Sequence, residues 1–137
     1  MKKKSKSKAR SYASLKKKIQ MWVNEAQENL LLQMWVIKVD WDFGAKSSDR
    51  SMTLATVGSL PEYYDARLTV YLKNCLESSD EEVRHNVYHE VNHLILAEFA
   101  HAAVSRCVSR EQLKHAEERA VSLMAKVFCR LIKSTVE

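Results

Sequence analysis

Two histidines and a glutamate in the segment VYHEVNHLIL (87–96) have the spacing of a catalytic metal site. His89 and His93 are four residues apart, so a helix places both on one face with their Cβ atoms about 5–6 Å apart. Imidazole nitrogen is a common zinc ligand, and Glu90 lies about 100° further round the helix, beside such an ion. The pattern therefore predicts hydrolysis by a zinc-bound water, with Glu90 as the general base that takes its proton.

A catalytic zinc site needs a third protein ligand, and the last predicted helix offers three acids: Glu111, Glu117 and Glu118. Glu117 lies in the apolar stripe of that helix, four residues after Leu113 and three before Ala120, whereas the other two acids point elsewhere. An acid in an apolar stripe is seldom left without a partner. Glu117 is therefore the acid predicted to face the histidine helix and to bind the metal there.

Two helices are predicted to hold these residues. Ser79 with Glu82, and Ser109 with Gln112, are capping-box pairs, which are typical of helix starts. They predict helices over residues 80–106 and 110–133. Apolar residues surround the first of these helices on nearly all sides, so it is expected to be central, with both histidines facing a second interface.

The residues before the histidine helix predict one helix and three short strands. Residues 12–33 carry apolar residues at spacings of three and four, which indicates an amphipathic helix. The segments MWVIKVDW (34–41), SMTLATVGSL (51–60) and ARLTVYL (66–72) have β-rich composition, and a polar loop and a turn separate them. ARLTVYL is either an edge strand beside the site or a plain core strand, and CLESSDEE (75–82) is predicted as a loop that leads into the next helix.

The positive charge of the chain is concentrated at its start. Residues 1–18 contain eight lysines, one arginine and no acid. Removing these nine charges from the formal net charge of +5 leaves the remaining residues at −4. Residues 1–11 are therefore predicted to be a disordered, solvated basic tail, able to make weak electrostatic contact with nucleic acid, and 12–137 a single domain.

The composition of the chain limits the classes of protein to which it could belong. A chain of 137 residues with two glycines and one proline suits one helix-rich globular domain. Its three cysteines are widely spaced and form no CxxC pair, which is typical of a reducing compartment. Since no apolar run is long enough to span a bilayer, the expectation is a cytoplasmic protein without a membrane partner.

The site residues resemble those of a known group of enzymes. HEVNH followed about two dozen residues later by EERAVSLMA (117–125) is similar to the gluzincin arrangement of short bacterial and phage metallopeptidases of the ImmA/IrrE type, in which HExxH precedes ExxANxFA. Glu117 and Ala120 match ExxA, and Val121, Leu123 and Met124 stand at the Asn, Phe and Ala positions. A metzincin continuation is absent, because Leu96 and Phe99 occupy the positions of its glycine and third histidine.

The resemblance implies a function and a fold. The Zn²⁺ ligands would be His89, His93 and Glu117, and Glu90 the catalytic base. The fold would be α+β and minimal-zincin-like, with an N-terminal helix, a three-stranded sheet, the HExxH helix and a C-terminal helix that carries the third ligand. The predicted protein is a zinc metallopeptidase that acts on a protein or an extended peptide.

Three alternatives remain open on the sequence. The chain could be a zincin-fold interaction module or an inactive metalloprotein whose basic tail contacts nucleic acid. It could be a helical protein without metal, in which HEVNH is accidental. It could also be a zinc hydrolase that acts on bonds other than peptide bonds.

Overall fold

The structure is a computed structural model that describes residues 11–44, 53–105 and 107–136. Most of the predicted tail (1–10), the loop residues 45–50, the start of the second predicted strand (51–52) and the predicted helix end at 106 lie outside these residues. The described elements, in chain order, are the helix α1 (Tyr12–Asn29), the strands β1 (Val36–Asp42), β2 (Ala55–Leu60) and β3 (Asp65–Tyr71), and the helices α2 (Leu72–Glu77), α3 (Asp80–Val104) and α4 (Arg110–Val136).

The first helix ends earlier than its apolar pattern predicts. Leu31 has a φ of 58°, and the N–H of Leu32 donates to the carbonyl oxygen of Gln27 at 2.8 Å. This is the Schellman arrangement that closes a helix C-terminus, with leucine in the left-handed position usually taken by glycine. Because the chain reverses there, α1 stops at Asn29 instead of continuing to residue 33.

The three strands form one mixed sheet in the order β1-β3-β2. β3 pairs with β1 in parallel and with β2 in antiparallel, so ARLTVYL is a core strand and the alternative prediction of an edge strand is wrong. Its alternate residues Ala66, Leu68 and Val70 are buried, as expected of a strand with neighbours on both sides. β2 is instead an edge strand, and α3 lies against it.

A short helix follows β3 where a loop was predicted. α2 begins at Leu72 and places Leu72 and Cys75 in the core. Its Asn74 is buried, and the side-chain Nδ2 donates to the carbonyl oxygen of Thr53 at 2.9 Å. Leu72 and Cys75 are three residues apart, so one helical turn buries both of them. The hydrogen bond of Asn74 to Thr53 further stabilises this turn against the chain before β2.

The core lies between the sheet and two helices. The inward residues of β3 share it with Leu15 and Ile19 of α1 and with residues of α3. The buried residues of α3 are Val83, Val87, Val91, Leu94, Ile95 and Ala97. The α+β class is therefore confirmed. No helix among the described residues is both long enough and apolar enough to cross a membrane.

Candidate metal centre

The histidine helix starts where its capping box predicts. The Ser79 hydroxyl accepts from the N–H of Glu82 at 3.2 Å, and the Glu82 carboxylate accepts from the N–H of Ser79 at 3.1 Å. Asp80, Glu81 and Glu82 fill the first turn, where the helix dipole favours negative charge. From this start the helix runs without interruption through both histidines, as predicted.

Three potential donors lie together on α3. One donor atom from each of His89, Glu90 and His93 lies within 4.8 Å of the other two. The two imidazole rings meet edge to face, with ring centres 5.0 Å apart. Two imidazole nitrogens and a carboxylate oxygen are the donor types that zinc prefers, so these residues fit a zinc ion.

The histidine face of α3 is open. Both histidines are exposed and Glu90 is half-buried, so the expectation that the histidines face a buried second interface is wrong. The reason is the position of α4, which packs beside the buried residues Leu94 and Ile95 and leaves the histidine face accessible. Imidazoles that are accessible to solvent can be reached by a metal ion without displacing α4.

Glu90 is anchored to the edge of the sheet. Its Oε2 accepts a hydrogen bond from the backbone N–H of Val57 in β2 at 3.1 Å. The N–H of Tyr71 donates to the carbonyl oxygen of Leu54, so the main-chain groups of Leu54 point toward β3. In antiparallel pairing, the N–H and C=O groups of successive residues point alternately toward the partner strand and away from it. The N–H of Val57 therefore lies on the free side of β2, and Glu90 accepts from it there.

A groove separates β2 from α3 on this side of the histidines. We call it the β2 groove; it has a volume of about 510 Å³ and includes Thr56, Val57, Ser59, Glu90, His93, Ala97 and Ala100 among its lining residues. At its far end His101 lies 3.2 Å from the carboxylate of Glu62. An edge strand thus forms one wall, and α3 forms the other, with the small residues Ala97 and Ala100 among larger side chains.

A second groove lies on the other side of the histidines, between α3 and α4. We call it the α4 groove; it has a volume of about 420 Å³. His85, His89 and Asn92 line it from α3, so His85 borders the site but does not belong to the group of three donors. Because the rings of His89 and His93 touch, the two grooves meet at the histidine pair.

Glu117 does not lie with the three donors. Its side chain is exposed and not buried, although the helix wheel places it between Met124 and Phe128, which line the α4 groove together with His89. The buried residues of α4 are Ala116, Ala120 and Val127, and Glu117 lies about 80° round the helix from Val127. The apolar stripe of α4 is narrower than its sequence spacing indicates.

The position of α4 along α3 also separates Glu117 from the histidines. Arg119 of α4 donates to both carboxylate oxygens of Glu98 of α3, at 3.1 and 2.5 Å, and this contact fixes which residues of the two helices lie side by side. The two helices are antiparallel, since later residues of α4 lie beside earlier residues of α3. Five residues before Glu98 on α3 is His93, and five residues after Arg119 on α4 is Met124, so Met124 lies at the level of His93. Glu117 is seven residues from Met124 along α4, or about 10 Å.

A network at the base of the site fixes α3 against α1. The hydroxyl of Tyr88, which precedes His89, donates to Glu25 at 2.9 Å and accepts from the side-chain amide of Asn29 at 2.9 Å. Arg84 also pairs with Glu25 and lowers the pKa of that carboxyl, whereas burial raises the pKa of the Tyr88 hydroxyl. The sequence carried no signal for this network, because its members are far apart along the chain.

The comparisons with known proteins add no assignment. No protein-family model matches the chain, and neither a curated protein nor a solved structure matches it.

Proposed function

We propose that this protein is a zinc-dependent metallopeptidase. The observation that carries the proposal is that Glu90 lies beside two histidines able to share an ion and also hydrogen-bonds the free edge of a β-strand. A metal-binding pair, a carboxylate and a strand edge are the parts that peptide hydrolysis at a metal requires.

Each residue of the group has a role in the proposal. His89 and His93 hold the ion through their imidazole nitrogens. A bound zinc ion supplies Lewis-acid chemistry, which polarises a carbonyl group and lowers the pKa of water. Glu90 is the general base. Its Oε2 is held by the N–H of Val57, so the proton is accepted at Oε1.

The strand edge suggests the class of substrate. An extended peptide can pair with the outward N–H and C=O groups of β2 through main-chain hydrogen bonds. Val57 and Ser59 line the β2 groove; the N–H of Val57 is bonded to Glu90, so the C=O of Val57 and the main-chain groups of Ser59 are the ones that a peptide would meet beside Glu90 and His93. A peptide bound there would have a main-chain carbonyl close to the metal ligands, which favours peptide hydrolysis over hydrolysis of a small ester or phosphate.

Glu117 remains the sequence-predicted third ligand. Since it lies about two helical turns from the level of His93, it can bind the same ion only if α4 moves along α3. That movement would break the contact between Arg119 and Glu98. If α4 does not move, the protein ligands come from α3 alone, and solvent fills the other positions.

The test is the zinc content of loaded and desalted protein, measured by elemental analysis. Wild type is expected to retain one zinc per chain, and His89→Ala and His93→Ala are expected to lose it. Glu118→Gln is the control, because it makes the same type of change at an exposed acid beside Glu117. Loss of zinc in Glu117→Gln, with retention in Glu118→Gln, would show that α4 moves to supply the third ligand.

Activity is tested on the same preparations. Glu90→Gln is expected to keep its zinc and to lose roughly 10²–10⁴-fold in the rate of peptide cleavage, since it cannot accept the proton. A wild-type protein that retains no zinc after loading would overturn the proposal. So would zinc that both histidine variants retain.

A further inference from the structure

The α4 groove has larger apolar side chains in its walls than the β2 groove. His85, Tyr88, His89 and Asn92 form its polar side, and the rest of its walls are formed by Leu30 of α1, Ile95 and Leu96 of α3, and Met124, Val127, Phe128 and Leu131 of α4. Leu96, Phe128 and Leu131 are 46%, 57% and 46% exposed. Phe128 and Leu131 belong to the apolar stripe that the sequence assigns to packing, but the structure leaves them open to solvent.

The two grooves suit different parts of one molecule. The β2 groove has a strand backbone on one side and Ala97 and Ala100 on the other, which suits an extended main chain. The α4 groove offers large apolar side chains around a concave space, which suits an apolar group. Since both grooves end at the touching rings of His89 and His93, a chain that lies in one can place a side chain in the other.

We infer that the α4 groove binds a large apolar side chain of the peptide substrate next to the bond that is cleaved. This inference rests on the proposed function. It assigns Phe128 and Leu131 as specificity-determining residues, because both line the groove, Phe128 at the level of His89 and Leu131 nearly one turn further on, and both side chains are about half exposed. A groove of about 420 Å³ is large enough for a leucine, methionine or phenylalanine side chain.

The chemistry of the groove excludes strongly polar side chains from good binding. A charged group placed among Leu96, Met124 and Phe128 would lose water without gaining a partner of opposite charge. An apolar group would gain from leaving water. The expected discrimination between a phenylalanine and an alanine side chain at this position is roughly 10–100-fold in binding.

The test uses two blocked peptides, acetyl-Ala-Ala-Phe-Ala-Ala-amide and acetyl-Ala-Ala-Ala-Ala-Ala-amide. Binding to the zinc-loaded Glu90→Gln protein is measured by calorimetry, so that cleavage does not interfere. The phenylalanine peptide is expected to bind at least 10-fold more tightly. Phe128→Ala and Leu131→Ala, each combined with Glu90→Gln, are expected to reduce that preference without changing the zinc content.

Val121→Ala is the matched control. Val121 is an apolar residue of α4 that is 52% exposed, and it does not line the α4 groove. Its substitution is expected to leave the peptide preference unchanged. The side chains of Val121, Phe128 and Leu131 are all about half exposed, so none of the three substitutions is expected to unfold the protein. Circular dichroism of each variant checks that it is folded.

The outcomes separate this inference from the proposed function. Absence of zinc in wild type contradicts the proposed function. Normal zinc content with equal binding of both peptides, or a preference that Phe128→Ala and Leu131→Ala leave unchanged, overturns the inference alone. A third outcome is that wild type is a dimer, that Phe128→Ala dissociates it, and that both peptides bind equally. This outcome would assign the α4 groove to a second copy of the chain and would also overturn the inference.

Discussion

Glu90 shows how strongly the surroundings of one residue define its role. In the sequence it is the acid inside HEVNH, and helix geometry places it beside a possible metal ion. The hydrogen bond from the N–H of Val57 holds Oε2 of its carboxylate. That contact has no sequence signal, because every residue except proline carries a backbone N–H.

The neighbours of Glu25 change the pKa of its carboxyl. The hydrogen bond from the Arg84 guanidinium lowers the pKa of its carboxyl below the usual 4.5, and the hydrogen bond from Tyr88 acts in the same direction. A carboxyl with a lowered pKa in the folded state stabilises the fold at pH values above its unfolded-state pKa. That contribution is lost as the pH falls through the lowered pKa.

We therefore predict a pH-dependent effect of Glu25→Gln. The variant should unfold more easily than wild type at neutral pH, and the difference in free energy of unfolding should shrink as the pH falls below about 4.5. Urea titrations between pH 7 and pH 3 measure it. Glu28→Gln, at an exposed position of the same helix, should show no comparable change. A Glu25→Gln difference that does not vary with pH would contradict the ion pair.

At the level of secondary structure, the start of α3 was predictable because it depends on four consecutive residues. Ser79 and Glu82 satisfy each other's backbone N–H groups, and this arrangement needs no contact with the rest of the protein. The strands were harder to place. Composition located them, but their order in the sheet depends on pairing between distant residues, so the sequence could not decide whether ARLTVYL was an edge strand or a core strand.

Ser79→Ala should weaken the start of the histidine helix. Loss of a serine N-cap typically costs about 1 kcal/mol in the free energy of unfolding. Thermal or urea unfolding measures the change. Ser14→Ala, an exposed position inside α1, is the control and should have little effect. Equal stability of Ser79→Ala and wild type would mean that packing alone holds this helix end.

For the whole molecule, the sheet core supports the helix that carries the candidate metal site. Leu68 lies in the central strand and is fully buried between the sheet and its helices. Leu68→Ala is expected to reduce the free energy of unfolding by about 2–5 kcal/mol, since it removes buried surface and leaves a cavity. Chemical denaturation measures this.

Leu60→Ala is the matched control for that experiment. Leu60 lies in β2 and is 58% exposed, so the same substitution removes little buried surface. A loss of stability that is equal at both positions would contradict the placement of β3 at the centre of the sheet.

The sequence by itself determined the local parts of this protein. These are the amphipathic first helix, the capped histidine helix, the shared face of His89 and His93, and the α+β class. Each depends on residues that are close along the chain, where helix periodicity and capping act.

Only the tertiary structure decided what surrounds the histidines. The position of α4 along α3 places Met124, not Glu117, at the level of His93, and the order of the strands places β2 beside Glu90. Both arrangements depend on packing and pairing between distant segments, such as the contact of Arg119 with Glu98. Spacing along one helix shows which residues share a face, but it contains no information about how far a neighbouring helix is displaced along it.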